Sequence, residues 1–230
     1  MGEALIRHSE EFGLKFNGEK TVAMVWSKKN PDGLVLGGKE VQKVERFKYL
    51  GSMIADDGNS EQAIRIRLAM GRSVVGQLAE VWKGNEIGRG LKVKLMKTLV
   101  WTVAMYGSES WTLKKGDERR INAFELWCWR RMLRVSWIEH KTNSWVREKV
   151  GVKEEDGLLG KVKAGKIRKY GHWKRRPDSL VLSTIEGERL GKKKKGRRRM
   201  GWVDNIKTWT NGGMQEARKV AWREKVSMDR

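Results

Sequence analysis

The fold class is decided by residues 64–82, which read IRIRLAMGRSVVGQLAEVW. Apolar and small residues recur in this stretch at spacings of four and three, which places them on one face of an α-helix. Arg65 and Arg72 lie on a face that points away from that stripe. The pattern therefore predicts an amphipathic helix with a basic outer side. Its inner face consists of Ile64, Leu68, Gly71, Val75, Leu78 and Trp82.

Two more amphipathic helices are predicted after residue 90. The inner face of the first is formed by Leu91, Leu95, Leu99, Thr102 and Tyr106. The second begins at Gly116 or Asp117. Its inner face is formed by Ile121, Phe124, Cys128, Met132 and Val135. Three such helices with short connections predict a small bundle. Further helical segments are predicted over residues 142–150, 158–175, 178–186, 202–209 and 214–226.

A different pattern precedes the bundle. Residues 3–12 predict a helix that ends at Gly13, and strand-like runs follow at Leu14–Phe16 and Thr21–Trp26. Gly37-Gly38 predicts a tight hairpin between its apolar flanks, because two glycines tolerate the positive φ values of a type I′ turn.

Phe47–Ile54 predicts one more apolar and aromatic strand. The chain is therefore predicted to have an α+β fold, with a small antiparallel β region followed by a mainly α-helical bundle and a basic helical tail.

The positive charge of the chain is unevenly distributed. The formal net charge is +22 at pH 7 over 230 residues. Residues 1–60 carry nine basic and nine acidic side chains, whereas residues 161–200 carry sixteen basic and three acidic ones. Such a field attracts polyanions, either nucleic acid or an anionic membrane surface. No apolar run reaches the roughly 18 residues that a membrane-spanning helix needs, so nucleic acid is the favoured partner.

Cysteine, histidine and paired acids limit the kinds of site. A single cysteine, Cys128, excludes an intramolecular disulfide and a cysteine-based zinc site, and it fits a nuclear or cytoplasmic location. The three histidines are too far apart in sequence to suggest a metal site. Asp56-Asp57 could hold Mg²⁺ as the paired carboxylates of polymerases do, but the helix that follows favours an N-capping role. No metal site is predicted.

Twelve tryptophans are unusual for a chain of this length. Tryptophan together with arginine suits base stacking and cation–π contacts. A tryptophan-rich core is the simpler interpretation for most of them. Trp127 and Trp129 cannot both face one core from one helix, so one of the two is predicted to lie at a surface. The basic run from Lys192 to Arg199 has three readings, namely phosphate contacts, a nuclear-import signal or a solvated linker.

Several motifs follow one another along the chain. Residues 13–21 read GLKFNGEKT, residues 47–52 read FKYLGS, residues 106–111 read YGSESW, and residues 201–206 read GWVDNI. In this order they resemble the end of the palm, the primer grip, the helical thumb and the basic tail of the reverse transcriptase of non-LTR (LINE-type) retrotransposons. The resemblance covers nearly the whole chain, and its two N-terminal motifs are the most specific.

The resemblance implies an RNA-directed DNA polymerase that uses Mg²⁺ held by palm aspartates. Those aspartates belong to a box that precedes the first motif, so the chain is expected to be a C-terminal fragment, without a cofactor and inactive on its own. Its expected partners are RNA and DNA, as an RNA–DNA duplex or primer–template, and the missing upstream palm and fingers region. The expected regions are a palm remnant with the primer-grip hairpin at 1–56, a helical thumb at 57–136 and a basic nucleic-acid-binding region at 137–230.

The resemblance also implies roles for individual residues. Lys20 is expected to approach the phosphates of the nucleotide, and Phe47, Tyr49, Leu50 and Gly51 are expected to position the primer end. A non-enzymatic basic nucleic-acid-binding module, from a repurposed or decayed element, is the alternative. The basic side chains expected at nucleic acid are Arg65, Arg72, Lys92, Lys97, Arg130, Arg131, Arg134, Lys174, Arg175, Arg176, Lys192, Lys193, Lys194, Lys195, Arg197, Arg198 and Arg199.

Overall fold

The computed structural model describes residues 2–25, 33–175, 180–186 and 200–210, apart from the side chain of Trp137. The chain forms two compact units, Met1–Ala63 and Ile64–Arg230. The first unit combines one helix with short strands, and the described part of the second is helical. The protein therefore has the α+β fold that the sequence predicts. The three functional regions expected from the resemblance stay a prediction.

The described residues of the first unit form helix α1 (Gly2–Glu11) and six short strands in pairs. Strands β1 (Val22–Ala23) and β4 (Gln42–Lys43) pair in parallel. The antiparallel pairs are β2 (Val35–Leu36) with β3 (Lys39–Glu40), and β5 (Arg46–Tyr49) with β6 (Ser52–Ala55). Among the described residues of this unit, the buried apolar side chains are Val41 and Ala63.

Two tight turns define the antiparallel pairs. The predicted Gly37-Gly38 turn is confirmed, with φ values of 56° and 73°. The prediction of a single strand over Phe47–Ile54 is wrong, because Leu50 and Gly51 take φ values of 46° and 76° and reverse the chain. Glycine adopts this left-handed conformation freely, whereas leucine does so at a cost of about 1 kcal/mol.

Two other strand predictions in this unit fare less well. Leu14–Phe16 forms no strand. Of the predicted run Thr21–Trp26 the structure describes residues 21–25, and among these the paired residues are Val22 and Ala23. Short apolar runs have β propensity, but a strand also needs a partner with matching register, and the sequence pattern does not reveal one.

The second unit is built from helices joined by short connections. Helix α2 begins at the end of the first unit, and a π-helical turn, Met96–Val100, joins α4 to α5. The helices are α2 (Glu61–Gln77), α3 (Ala79–Lys83), α4 (Arg89–Leu95), α5 (Trp101–Ala104), α6 (Lys115–Leu133), α7 (Asn143–Val150), α8 (Leu158–Lys174), α9 (Leu180–Glu186) and α10 (Trp202–Trp209). No helix among the described residues is long and apolar enough to cross a bilayer.

The core of this unit gathers around α6. Phe124, Cys128 and Trp129 are fully buried, and the predicted inner face of residues 64–82 packs into the same cluster. The single helix predicted there is divided, because α2 ends at Gln77 and Trp82 belongs to α3. Helix α2 passes close to α6 at Gly71, where an added Cβ would lie 2.7 Å from Cζ of Phe124. Gly71, the small residue of the predicted inner face, therefore allows α2 and α6 to pack closely.

The predicted inner face of the second helix is wrong. Leu91, Leu99 and Tyr106 are exposed, and the buried residues of this segment are instead Met96, Val100, Trp101 and Ala104. The π-helical turn places its hydrogen bonds one residue further along the chain, so the side chains that follow are rotated relative to an ideal helix. Spacings of four also drift around a helix of 3.6 residues per turn.

A buried carboxylate joins α6 to α8. Oε1 of Glu125 accepts a hydrogen bond from Nε1 of Trp129 at 3.0 Å, and Oε2 accepts one from the backbone N of Leu158 at 3.0 Å. The residue before Leu158 is Gly157, whose added Cβ would lie 2.7 Å from Oε2 of Glu125. A side chain of α6 therefore takes the place of the usual N-cap at the start of α8.

Candidate nucleic-acid interface

The β5–β6 hairpin exposes the apolar residues of the FKYLGS motif. The exposed fractions of Phe47, Tyr49 and Leu50 are 41%, 56% and 75%. Phe47 and Tyr49 are two positions apart on one strand, so their side chains lie on the same face of the hairpin. Leu50 occupies the turn between the strands. The hairpin therefore presents an aromatic face and an apolar tip to solvent.

Lys20 lies in a turn that is organised by Asn17. Oδ1 of Asn17 accepts hydrogen bonds from the backbone N of Glu19 at 3.1 Å and of Lys20 at 3.2 Å. The hydroxyl of Thr21 donates to O of Asn17 at 2.8 Å. The polar residues of the GLKFNGEKT motif thus build one closed turn that presents the exposed Lys20 side chain.

Some of the predicted basic residues stabilise the fold. Nζ of Lys92 donates to the backbone O of Trp82 at 2.9 Å and of Gly84 at 2.7 Å, at the end of α3. Nη2 of Arg130 donates to O of Lys141 at 3.1 Å and to Oδ1 of Asn143 at 2.9 Å. These contacts direct both side chains toward the protein, so fewer of their N–H groups remain to bind a phosphate.

Lys174 also has a protein partner, because it pairs with Glu186 on α9. Tyr170 donates a hydrogen bond to the same carboxylate. Burial alone would raise the pKa of Glu186, but the hydrogen bonds from Lys174 and Tyr170 outweigh it and hold that pKa below its ordinary value. Lys174 therefore anchors α9 to α8.

Arg72 and Arg131 are placed differently. Both side chains are exposed, and each guanidinium carbon lies 5.7 Å from the centroid of the Trp127 ring. Trp127 is partly exposed whereas Trp129 is fully buried, which confirms the prediction that one of these two tryptophans lies at a surface. Arg65, Arg134 and Arg175 are exposed as well, and Nζ of Lys97 lies 5.5 Å from the centroid of the Trp101 ring.

Other cations of this unit also lie over aromatic rings. The guanidinium carbon of Arg67 is 4.2 Å from the centroid of Tyr106. Trp145 on α7 has Nζ of Lys141 at 5.1 Å and Nζ of Lys149 at 5.8 Å. Interleaved cations and aromatic rings are typical of surfaces that track a nucleic-acid backbone and stack bases.

Lys166 is a fully buried lysine that the sequence analysis missed. Its Nζ donates to O of Trp111 at 2.6 Å and to Oδ1 of Asn205 at 2.7 Å, and it lies 4.6 Å from the centroid of Trp202. Desolvation by burial lowers the pKa of Lys166 to about 7. A lysine in a run of basic residues gives no sequence signal that it will be buried.

Some of the predicted basic residues fall in the part of the chain that the structure does not describe. Outside the described residues lie Arg176, Lys192–Lys195 and Arg197–Arg199.

Within the part of the chain that the structure describes, the groups considered as metal ligands have other roles or form no cluster. Oδ1 of Asp57 accepts a hydrogen bond from N of Asn59 at 2.8 Å, in the turn before α2. Burial, followed by the charge of Glu125, raises the pKa of the Cys128 thiol. Within the described residues, no three His, Cys, Asp or Glu side chains group so that they could hold a metal ion.

Comparisons with known proteins add no relative. No protein-family model matches the chain, and no curated protein or solved structure matches it.

Proposed function

We propose that this chain is the C-terminal part of the RNA-directed DNA polymerase of a non-LTR retrotransposon, which binds RNA and DNA and positions primer–template without supplying the catalytic aspartates. The observation that carries the proposal is the exposure of Phe47, Tyr49 and Leu50 on a tight hairpin, at the motif that resembles a primer grip. An exposed aromatic face would be costly to keep in water unless a partner covers it.

The charge of the chain supports the same proposal. A net charge of +22 favours a polyanion, and exposed arginines such as Arg72 and Arg131 can make charge-assisted hydrogen bonds to phosphates. An RNA–DNA duplex is read mainly by shape and backbone, which suits a surface of arginine and lysine. The hairpin would then fix the primer end.

The test is the binding of the purified chain to an RNA–DNA duplex with a recessed primer end and to the same duplex with blunt ends. Fluorescence anisotropy over a salt series is expected to show a steep linear fall of log affinity with log salt. Combined Phe47→Ala and Tyr49→Ala substitutions are expected to weaken binding to the recessed end by about thirtyfold or more, since each lost stacking contact is worth roughly 1–3 kcal/mol.

Val35→Ala is the matched control, because Val35 is an exposed apolar residue on the other antiparallel hairpin. It is expected to leave both affinities unchanged. Equal binding of recessed and blunt duplexes by the unsubstituted chain would contradict the primer-grip assignment. Templated DNA synthesis by the chain with Mg²⁺ and nucleotides would contradict the proposal that it supplies no catalytic aspartates.

A non-enzymatic basic nucleic-acid-binding module is the second candidate. The large core cluster lies in the second unit, together with the exposed arginines on α2 and α6. A module would bind duplexes without regard to their ends, so the hairpin substitutions would then have no effect. We also propose a nuclear or cytoplasmic location. If residues 192–199 act as a nuclear-import signal, replacing their lysines and arginines by glutamine is expected to move a tagged chain from the nucleus to the cytoplasm.

A further inference from the structure

Trp127 lies on α6 with one part of its indole against the core and another part exposed. Its ring is nearly parallel to that of Phe124, with an interplanar angle of 22° and 6.4 Å between centroids. Phe124 is fully buried and touches α2 at Gly71. The indole is therefore held by packing, which gives a flat aromatic surface a fixed position beside the contact of two helices.

The two guanidiniums beside Trp127 come from two different helices. Arg131 follows it on α6, one helical turn later, while Arg72 belongs to α2 and is the neighbour of Gly71. Neither guanidinium forms an ion pair with a described residue. An arginine that neutralises no carboxylate can still bind a phosphate with two parallel hydrogen bonds.

Tyr106 and Trp145, which also lie near cations, are arranged differently. Arg67 lies 4.2 Å from the Tyr106 centroid and so covers that ring. Lys149 is four positions after Trp145 on α7, and Lys141 lies just before the N-cap of the same helix, so both cations near Trp145 come from one stretch of chain. The guanidinium carbons of Arg72 and Arg131, each at 5.7 Å, lie farther from the Trp127 centroid than that of Arg67 lies from the Tyr106 centroid, and part of the Trp127 indole stays exposed to solvent.

We propose that Trp127 stacks an unpaired base of single-stranded nucleic acid, with Arg72 and Arg131 binding the phosphates on either side. The inference rests on the proposed nucleic-acid binding and adds that the nucleic acid bound at this site is single-stranded. Bases inside a duplex stack on each other and present no free face, so this site selects single strands. Stacking tolerates any base, and the site is therefore expected to have little sequence preference.

The test uses the whole chain, a short fluorescent oligo(dA) as the single strand, and a blunt DNA duplex. Trp127→Leu is expected to weaken binding to oligo(dA) by about tenfold and to change duplex binding by less than about twofold, because the lost contact is a stacking contact. Trp127→Phe keeps an aromatic face and is expected to retain most of the single-strand affinity. Trp145→Leu is the matched control, and we expect it to leave the affinity for oligo(dA) unchanged.

Arg72→Gln and Arg131→Gln give a second test that leaves the indole in place. Together they are expected to reduce the salt slope of oligo(dA) binding by about 1.4, since each phosphate contact on a single strand contributes about 0.7. Binding of oligo(dA) that survives both Trp127→Leu and the double arginine substitution would overturn the inference while the proposed function stands. A chain that binds neither ligand at low salt would overturn the proposed function itself.

Discussion

Nζ of Lys166 lies 2.7 Å from Oδ1 of Asn205, and the same oxygen accepts a hydrogen bond from N of Leu113 at 2.8 Å. Nδ2 of Asn205 returns a hydrogen bond to O of Leu113 at 2.7 Å. One amide side chain therefore fastens α10 both to α8 and to the segment that precedes α6. Because the lysine at this junction is buried, the junction depends on pH.

The first prediction concerns the pH dependence of stability. The pKa of Lys166 falls from 10.5 to about 7 on folding. Between these values the unfolded chain binds more protons than the folded chain, so the contribution of Lys166 to the free energy of unfolding rises with pH. Below pH 7 both states are protonated and this contribution stays at its lowest. The rise is at most about 1.4 kcal/mol per pH unit.

Urea unfolding at several pH values between about 7 and 9 measures this contribution. The free energy of unfolding of the unsubstituted chain is expected to increase relative to that of Lys166→Met over this range. Lys163→Met is the control, because Lys163 pairs with Glu118 at 3.0 Å near the surface and its loss should cost a constant amount. Parallel curves for the unsubstituted chain and Lys166→Met would refute the prediction.

The second prediction compares two glycines of α2. Gly71→Ala is expected to lower the free energy of unfolding by about 1–3 kcal/mol, because the new methyl group would overlap the buried Phe124 ring. Gly76→Ala meets nothing within 4 Å and is expected to raise stability by about 0.5–1 kcal/mol through its better helix propensity. Thermal unfolding of both variants measures the difference. A Gly71→Ala variant that is stabilised like Gly76→Ala would mean that α2 and α6 are not in close contact at Gly71.

The third prediction concerns the buried carboxylate of Glu125. Glu125→Ala leaves the backbone N of Leu158 and Nε1 of Trp129 without their acceptor, which is expected to cost at least about 2 kcal/mol of unfolding free energy. Glu125→Gln keeps one acceptor oxygen and is expected to lose roughly half as much. Urea unfolding separates the two variants, and an alanine variant as stable as the glutamine variant would speak against the hydrogen bonds.

The fourth prediction separates stability from binding at the hairpin. Leu50 has a positive φ, so Leu50→Asn is expected to stabilise the β5–β6 turn by about 1 kcal/mol, since asparagine adopts this conformation more readily. The same change removes the apolar tip and is expected to weaken binding to a recessed primer end. Amide exchange at Ile54, which pairs with Phe47 in the hydrogen-bonded ladder, reports the first effect and anisotropy reports the second. A variant that improves both would remove Leu50 from the interface.

The sequence predicts the helices better than the strands, for a physical reason. The faces of α2 and α6 follow from spacing alone, because each is a regular helix against one core. The face between Leu91 and Tyr106 could not be predicted, since a π-helical turn changes the period within it. The hairpin turn at Leu50-Gly51 was missed because leucine seldom adopts a positive φ.

The sequence predicts which types of residue form the candidate interface, but not which individual residues do so. Charge and tryptophan content indicate nucleic acid, and the pair Trp127 and Trp129 already required one exposed ring. The sequence could not show that Lys92 and Arg130 are held by backbone oxygens while Arg72 and Arg131 flank an indole. These differences depend on contacts between helices that are distant in sequence.

The cap that Glu125 provides for α8 has a consequence for the order of assembly. Leu158 and Glu125 are 33 positions apart, so the first turn of α8 is completed only when a different helix has formed and come into register. The first turn of an isolated helix is costly to form in water. Without Glu125, the first turn of α8 also lacks the acceptor for N of Leu158. We therefore expect α8 to become fully stable only after it packs against α6, at a rate that depends on the length of the segment between them.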